Sequence, residues 1–270
     1  MIDLTKEQKL LNAQCELLKR EFAELFARKN DMLSFEESLL TALYLNSIGR
    51  KQYQLYCLGV EISMIKQRIY LIQAYLNRNE NPDKTLIDAE INRRFVEYKQ
   101  KIEAESQRLS AAVDYLKSEF LSVEESKKIR EVYRIIVKRL HPDINPGITV
   151  YEKELFVKAQ AAYELNDLNV LNEILLSIDL DNTDNSLIVS PILMKEFVEK
   201  MEDNVGRLKN QIEELDKRFP FNLKEQLYDE EWITLEQKKL DQKIAILLKE
   251  KGKKNEYLIM LGLWKPESLN

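Results

Sequence analysis

Residues 55–76 read LYCLGVEISMIKQRIYLIQAYL, and the spacing of their apolar positions decides the class of fold. Leu55, Leu58, Ile62, Ile65, Ile69, Ile72 and Leu76 advance by alternating steps of three and four. That pattern keeps all of them on one helix face, with the 3.5-residue period of a helix seated along another helix. Upstream, Leu11, Cys15, Leu18, Phe22 and Leu25 step in the same way. After Asn30-Asp31, Ser34-Phe-Glu-Glu37 has the form of a capping box opening a second helix. Downstream, Asn79 to Asp83 reads as a turn. Ile91, Phe95, Tyr98, Ile102, Leu109, Ala112, Leu116 and Phe120 then mark a third long helix, its stripe interrupted at Glu105. So short a connection predicts that the second and third helices are antiparallel neighbours.

The C-terminal part repeats the device. Met194, Val198, Met201, Val205, Leu208, Ile212, Leu215 and Phe219 alternate by four and three. Pro220 stops that helix, because proline disfavours α geometry in the residue before it. A return helix from about Leu223 carries Ile233, Leu240, Ile244 and Leu247 inward. The run Lys249 to Lys254 (KEKGKK) reads either as a basic helix end complementing the C-terminal dipole, the more ordinary explanation, or as a segment that binds an anionic surface. A short apolar segment from Tyr257 to Trp264 follows. Asp179 to Asn185 reads as part of an acidic linker over 179–190. Its D-x-D-x-x-D spacing lacks the Gly and distal Glu of a calcium-binding loop.

Composition supports an all-α chain and removes several chemistries. Six Gly and six Pro in 270 residues are too few for the turns of sandwiches, barrels or Gly-rich phosphate loops. Two cysteines, Cys15 and Cys57, build no disulfide framework, and His141 is the one histidine, so no four-ligand Cys/His zinc site forms. Neither a metal nor a cofactor is expected, and no paired-carboxylate enzyme site stands out among the many helix-face acids. No uncharged apolar run approaches the roughly 20 residues that cross a bilayer, and the first residues lack the regions of a signal peptide. A reducing, cytoplasmic setting is expected. The net charge of −5 weighs against broad nucleic-acid affinity and leaves only local basic patches as candidates.

Between the two hairpins lies Tyr133-Arg-Ile-Ile-Val-Lys-Arg-Leu-His141-Pro142-Asp143. Ser122 to Leu140 forms a helix with Ile129, Tyr133, Ile136 and Leu140 on one face. The loop Ile144 to Thr149 leads to a helix with Phe156, Ala159, Ala162 and Tyr163 inward, and Asp167 caps a further short helix through Leu176. From Lys127 to Arg139 stand six basic residues, Lys127, Lys128, Arg130, Arg134, Lys138 and Arg139, against the single acid Glu131. Arg130, Arg134 and Lys138 stack like charges every four residues, costing about 0.2–0.5 kcal/mol per pair in an isolated helix. A negatively charged partner accounts for such an arrangement better than a solvated face does.

This constellation resembles the J-domain of the DnaJ co-chaperone family. Tyr133 stands eight residues before the H-P-D triplet, as in the family's second helix, and Phe156 with the Ala162-Tyr163 pair matches its third. The resemblance covers about residues 122–163. Asp114 to Leu121 keeps only a rough echo of the family's first-helix signature and has no Gly. Ile135 stands where the family often has a basic residue, and nothing matches its Gly/Phe-rich linker or zinc module. The resemblance implies a chain that is not itself an enzyme but docks on a DnaK-type heat-shock chaperone and stimulates its ATP hydrolysis. His141 and Asp143 would contact that partner, Pro142 would fix the loop, and Lys127, Arg130, Arg134, Lys138 and Arg139 would steer the encounter. Tyr133, Ile136, Leu140, Phe156, Ala162 and Tyr163 would form the module core.

The expected architecture is therefore all-α and elongated: two antiparallel helical or coiled-coil hairpins flanking a central helix–H-P-D loop–helix module. Its parts are an N-terminal hairpin region (1–120), the J-like module (121–178), the acidic linker (179–190) and a C-terminal antiparallel coiled coil (191–270). The hairpins would bind a client, or pair two copies into a homodimer. The alternative is a coiled-coil scaffold or adaptor with a J-like fold uncoupled from any chaperone, its basic helix holding an acidic protein or nucleic acid.

Overall fold

The computed structural model describes residues 6–118, 122–180 and 191–262, and all regular structure among them is helical. Phe120, most of the acidic 179–190 stretch and Trp264 fall outside the described residues. The chain divides into two compact units. One comprises residues 1–38 and 119–222, the other residues 39–118 and 223–270. This corrects the expected partition, since each unit joins an N-terminal segment to a C-terminal one.

The first unit contains α1 (Lys6–Asp31), a π-helical turn (Met32–Glu36), α5 (Val123–Leu140), α6 (Val150–Glu164), α7 (Leu168–Leu180) and α8 (Pro191–Asp216). The Ser34 capping box does not open a new helix. The backbone runs on through Asp31 and Glu37 in helical geometry with no side-chain cap at Asp31, and within the turn Glu36 pairs with Arg28 at 2.6 Å. A π turn inserts one extra residue into the helical phase, and the periodicity read from sequence carries no sign of it.

The seam of α1 finds its partner in α8. Leu11 and Cys15 pack with Val198, and Phe22 packs with Met201, Val205 and Leu208. The pair runs parallel: Glu7 meets Lys195 at 2.6 Å, Gln14 meets Glu202 at 2.9 Å and Glu21 meets Lys209 at 2.5 Å, each one heptad beyond the last. Such exposed rim contacts contribute at most about 1 kcal/mol apiece, so the buried seam supplies the stability and the rim sets the register.

The second unit is built from α2 (Glu37–Tyr44, entering at Leu39), a second π turn (Leu45–Gly49), α3 (Arg50–Asn77), α4 (Lys84–Lys117), a short α9 (Lys224–Leu227) and α10 (Glu230–Met260). The antiparallel neighbours expected across residues 79–83 are observed. Asp83 caps α4 by accepting from Leu86 N–H at 3.1 Å, Ile72 packs with Ile87 and Ile91 beside the turn, and Leu45 packs with Leu109 at the far end.

The return helix α10 does not form the expected coiled coil with α8; it takes α3. Gln237 Nε2 donates to the Ser47 carbonyl at 2.7 Å, Lys51 pairs with Asp241, Lys251 with Glu61 at 2.7 Å, and Gln73 donates to the Tyr257 hydroxyl at 2.9 Å. Those numbers rise together, so this pair is also parallel. The seams that sequence left open to a hairpin or a second copy are filled by distant segments of the same chain. None of the described helices is long and apolar enough to cross a membrane.

Candidate functional site

Both helices flanking the H-P-D loop begin at reciprocal caps. The Ser122 hydroxyl accepts from Glu125 N–H at 3.2 Å, while the Glu125 carboxylate accepts from Ser122 N–H at 3.1 Å. Thr149 and Glu152 repeat the motif at 3.2 and 2.7 Å. These caps satisfy amides that a helix start leaves unpaired and so fix where the loop may begin and end. Asp167 caps α7 through Val170 N–H at 3.0 Å, and α7 runs on to Leu180.

Every residue assigned to the module core is buried there: Tyr133, Ile136, Leu140, Phe156, Ala162 and Tyr163, joined by Leu171 and Ile174 of α7. Tyr133 and Tyr163 stack at 4.0 Å between ring centroids. The Tyr133 hydroxyl accepts from Asn30 Nδ2 at 2.8 Å, and the Tyr163 hydroxyl donates to Asp31. Burial raises the pKa of both phenols well above the ordinary tyrosine value. They therefore act as neutral hydrogen-bonding core residues.

Those partners belong to α1, which also buries Ala23 and Ala27 in the same core. The module is completed by a helix some hundred residues upstream, a feature that sequence reasoning missed. The signal was present. Besides its α8 seam, α1 carries Ala23, Phe26 and Ala27 on an adjoining strip, and a helix with two apolar strips has two partners to cover.

His141 sits at the centre of this arrangement. Its ring is 7% exposed and meets Phe22, Phe26 and Phe156 edge-on at centroid distances of 4.8, 4.5 and 5.0 Å. Nδ1 accepts the Asp143 backbone N–H at 3.1 Å, which leaves Nε2 as the protonated nitrogen of a neutral imidazole. Burial lowers the His141 pKa to about 4, against a smaller upward pull from Asp143. The ring for which a partner contact was expected thus packs inward and anchors the loop from within.

Around it, the His141 carbonyl accepts from the Ile144 and Asn145 amides at 3.2 and 3.0 Å. Asn145 Nδ2 caps the Lys138 carbonyl at 2.8 Å. Ile144 is fully buried with Phe22 and the α8 residues Met201, Val205 and Leu208. Two loop residues thus point inward onto α1 and α8, while Pro142 and Asp143 are exposed.

The basic residues of α5 divide into two sets. Arg130 pairs with Asp31 at 3.0 Å and Lys138 with Glu16 at 2.8 Å, so two of the three stacked charges find acids on α1. The Lys138 contact holds the Glu16 carboxyl below its usual pKa. Lys127, Lys128 and Arg134 lie exposed, as do Ile135 and Arg139, the last with an interaction of its own. The arrangement can present one carboxylate, one rigid proline and a cationic strip to an outside partner.

Among the described residues, no three His, Cys, Asp or Glu side chains come together as a metal site. Cys15 and Cys57 are free thiols, each with its pKa raised chiefly by burial. Neither a scan against protein-family models nor searches of curated proteins and of solved structures finds a match for this chain.

Proposed function

We propose that this protein is a J-domain-type co-chaperone that docks on a DnaK-type heat-shock chaperone and stimulates its ATP hydrolysis. The observation that carries the proposal is the loop tip: Asp143 and Pro142 stand exposed between two capped helices, while His141 is locked beneath them and holds the Asp143 amide. Asp143 then supplies the polar contact, Pro142 restricts the backbone, and His141 positions both. Lys127, Arg134 and Arg139 raise the association rate with an acidic surface. Hydrolysis takes place in the partner, so this chain need carry no catalytic group. Such a partner places the protein in the cytoplasm, a setting with which two free thiols agree.

The test is single-turnover ATP hydrolysis by the chaperone with parent protein, Asp143→Asn and Arg134→Gln. Both substitutions lie on exposed residues and leave helicity unchanged. Asp143→Asn should abolish stimulation, and Arg134→Gln should weaken it most at low salt. Full stimulation by Asp143→Asn overturns the assignment.

One observation favours a second function, a scaffold with a J-like fold uncoupled from any chaperone. Arg130 and Lys138 already have acidic partners on α1, so part of the basic face is occupied within the chain. In that case well-folded protein gives no stimulation, and an acidic protein or nucleic acid binds α5 without competition from the chaperone.

A further inference from the structure

The Lys249 to Lys254 run is not a helix end. α10 continues through it to Met260, with Leu261 as its C-cap, so these lysines lie beyond the single turn over which a helix terminus attracts cations. Their charge needs another explanation. Residues 238–254 carry seven lysines and two acids. Both acids are turned onto α3, where Asp241 pairs with Lys51 and Glu250 with Lys66. Lys251 also turns inward, to Glu61. The exposed residues Lys238, Lys243, Lys249 and Lys253 make no ion pair or hydrogen bond among the described residues.

Lys238 and Lys249 are eleven residues apart, close to three full turns, and Lys253 follows one turn later. All three lie on the side of α10 away from its buried Leu240, Ile244 and Leu258, whereas Lys243 lies on a flank of the helix, closer in angle to Leu240 than to the ridge. The ridge is straight and extends about 22 Å at 1.5 Å per residue. At physiological ionic strength charges beyond about 8 Å are screened, so an approaching anion responds to this ridge and not to the net charge of the chain.

We infer that this ridge binds the phosphate backbone of double-stranded nucleic acid without reading its sequence. The spacing suits a rigid polyanion that places a phosphate about every 3.4 Å along each strand. The 238–254 segment has no aromatic residue on which unpaired bases could stack, which disfavours a single strand. Only Ile246 and Leu248 are exposed large hydrophobics within it, too few to insert into a bilayer.

The test is fluorescence anisotropy of a labelled DNA duplex of about 24 base pairs, titrated with full-length protein between about 50 and 200 mM salt. Three phosphate contacts predict a slope of log K against log salt of about −2.7, or about 40-fold weakening across that range. A Lys238→Gln, Lys249→Gln, Lys253→Gln variant should retain its helicity and flatten the slope to near zero. Three results each overturn the inference: no duplex binding by folded protein, a slope unchanged in that variant, or lysine-dependent binding only to phosphatidylserine vesicles. A Lys127→Gln, Arg134→Gln variant keeps the test separate from α5. If it alone flattens the slope, the duplex binds α5 and the ridge does not carry it.

Discussion

The two units share one device and put it to different uses. Each rests on a parallel helix pair, α1 with α8 and α3 with α10, drawn from opposite ends of the chain and held in register by polar rim contacts. The first unit adds α5, α6 and α7, and with them stacked tyrosines, a caged imidazole and hydrogen bonds reaching into the core. The second adds α4, whose buried residues Ile87, Ile91, Leu109 and Ala112 lie toward its two ends and leave 92–108 without one. Paired helices alone therefore make a support. Chemistry gathers where a third layer buries polar groups that must be satisfied.

The contrast can be broken most severely at Phe22, which serves the α8 seam and the His141 cage together. Phe22→Ala should cost about 3–5 kcal/mol. Hydrogen exchange should show protection lost in α5 and α6 and retained in α3; an equal loss in both units would refute their separateness.

Acid should act on the first unit in a similar way. Folding depresses the His141 pKa from 6.5 to about 4, so the unfolded chain binds the extra proton first. Stability is full above about pH 6.5, falls as pH drops and levels out below about 4, a loss of about 3 kcal/mol. Urea unfolding across that range checks it, and His141→Leu should remove this component.

A smaller effect sharpens the boundary of the loop. Thr149→Ala deletes one reciprocal cap of α6 and should cost about 1 kcal/mol in a urea titration. An unchanged midpoint would show that packing, not capping, sets the start of α6.

The smallest effect falls in the second unit and has the opposite sign. A Cβ at Gly59 meets nothing within 4 Å, whereas at Gly49 it would lie 3.0 Å from Leu45 Cδ2. Gly59→Ala should raise stability by about 0.5–1 kcal/mol in thermal melts, and Gly49→Ala should gain less. Equal gains would mean that the π turn yields freely.

What was legible in the sequence was local. Seams and the inward faces of α5 and α6 follow from residues within one or two turns of each other, and Tyr133, Phe156 and Tyr163 are buried together as those faces require. The caps at Ser122 and Thr149 were not read from the sequence. Partner choice was not legible, because a heptad seam states that a helix pairs but not with which segment or in which direction. The Met194–Phe219 seam would fit a return helix as well as it fits α1. Ser34 shows the limit of motif reading: a capping-box sequence lies inside a continuous helix where a π turn absorbs the extra residue. The position of His141 was hidden for the same reason, since two walls of its cage are Phe22 and Phe26, far away in sequence.

The central claim is that the upstream helix α1 seals His141 beneath the exposed Pro142-Asp143 tip. Because the chain has one histidine, a proton NMR titration follows a single imidazole without assignment. The account predicts a midpoint of about 4 in the folded protein, with the resonance moved by ring currents from Phe22, Phe26 and Phe156. A midpoint near the ordinary 6.5, with an unperturbed shift, would place the ring in solvent and contradict it.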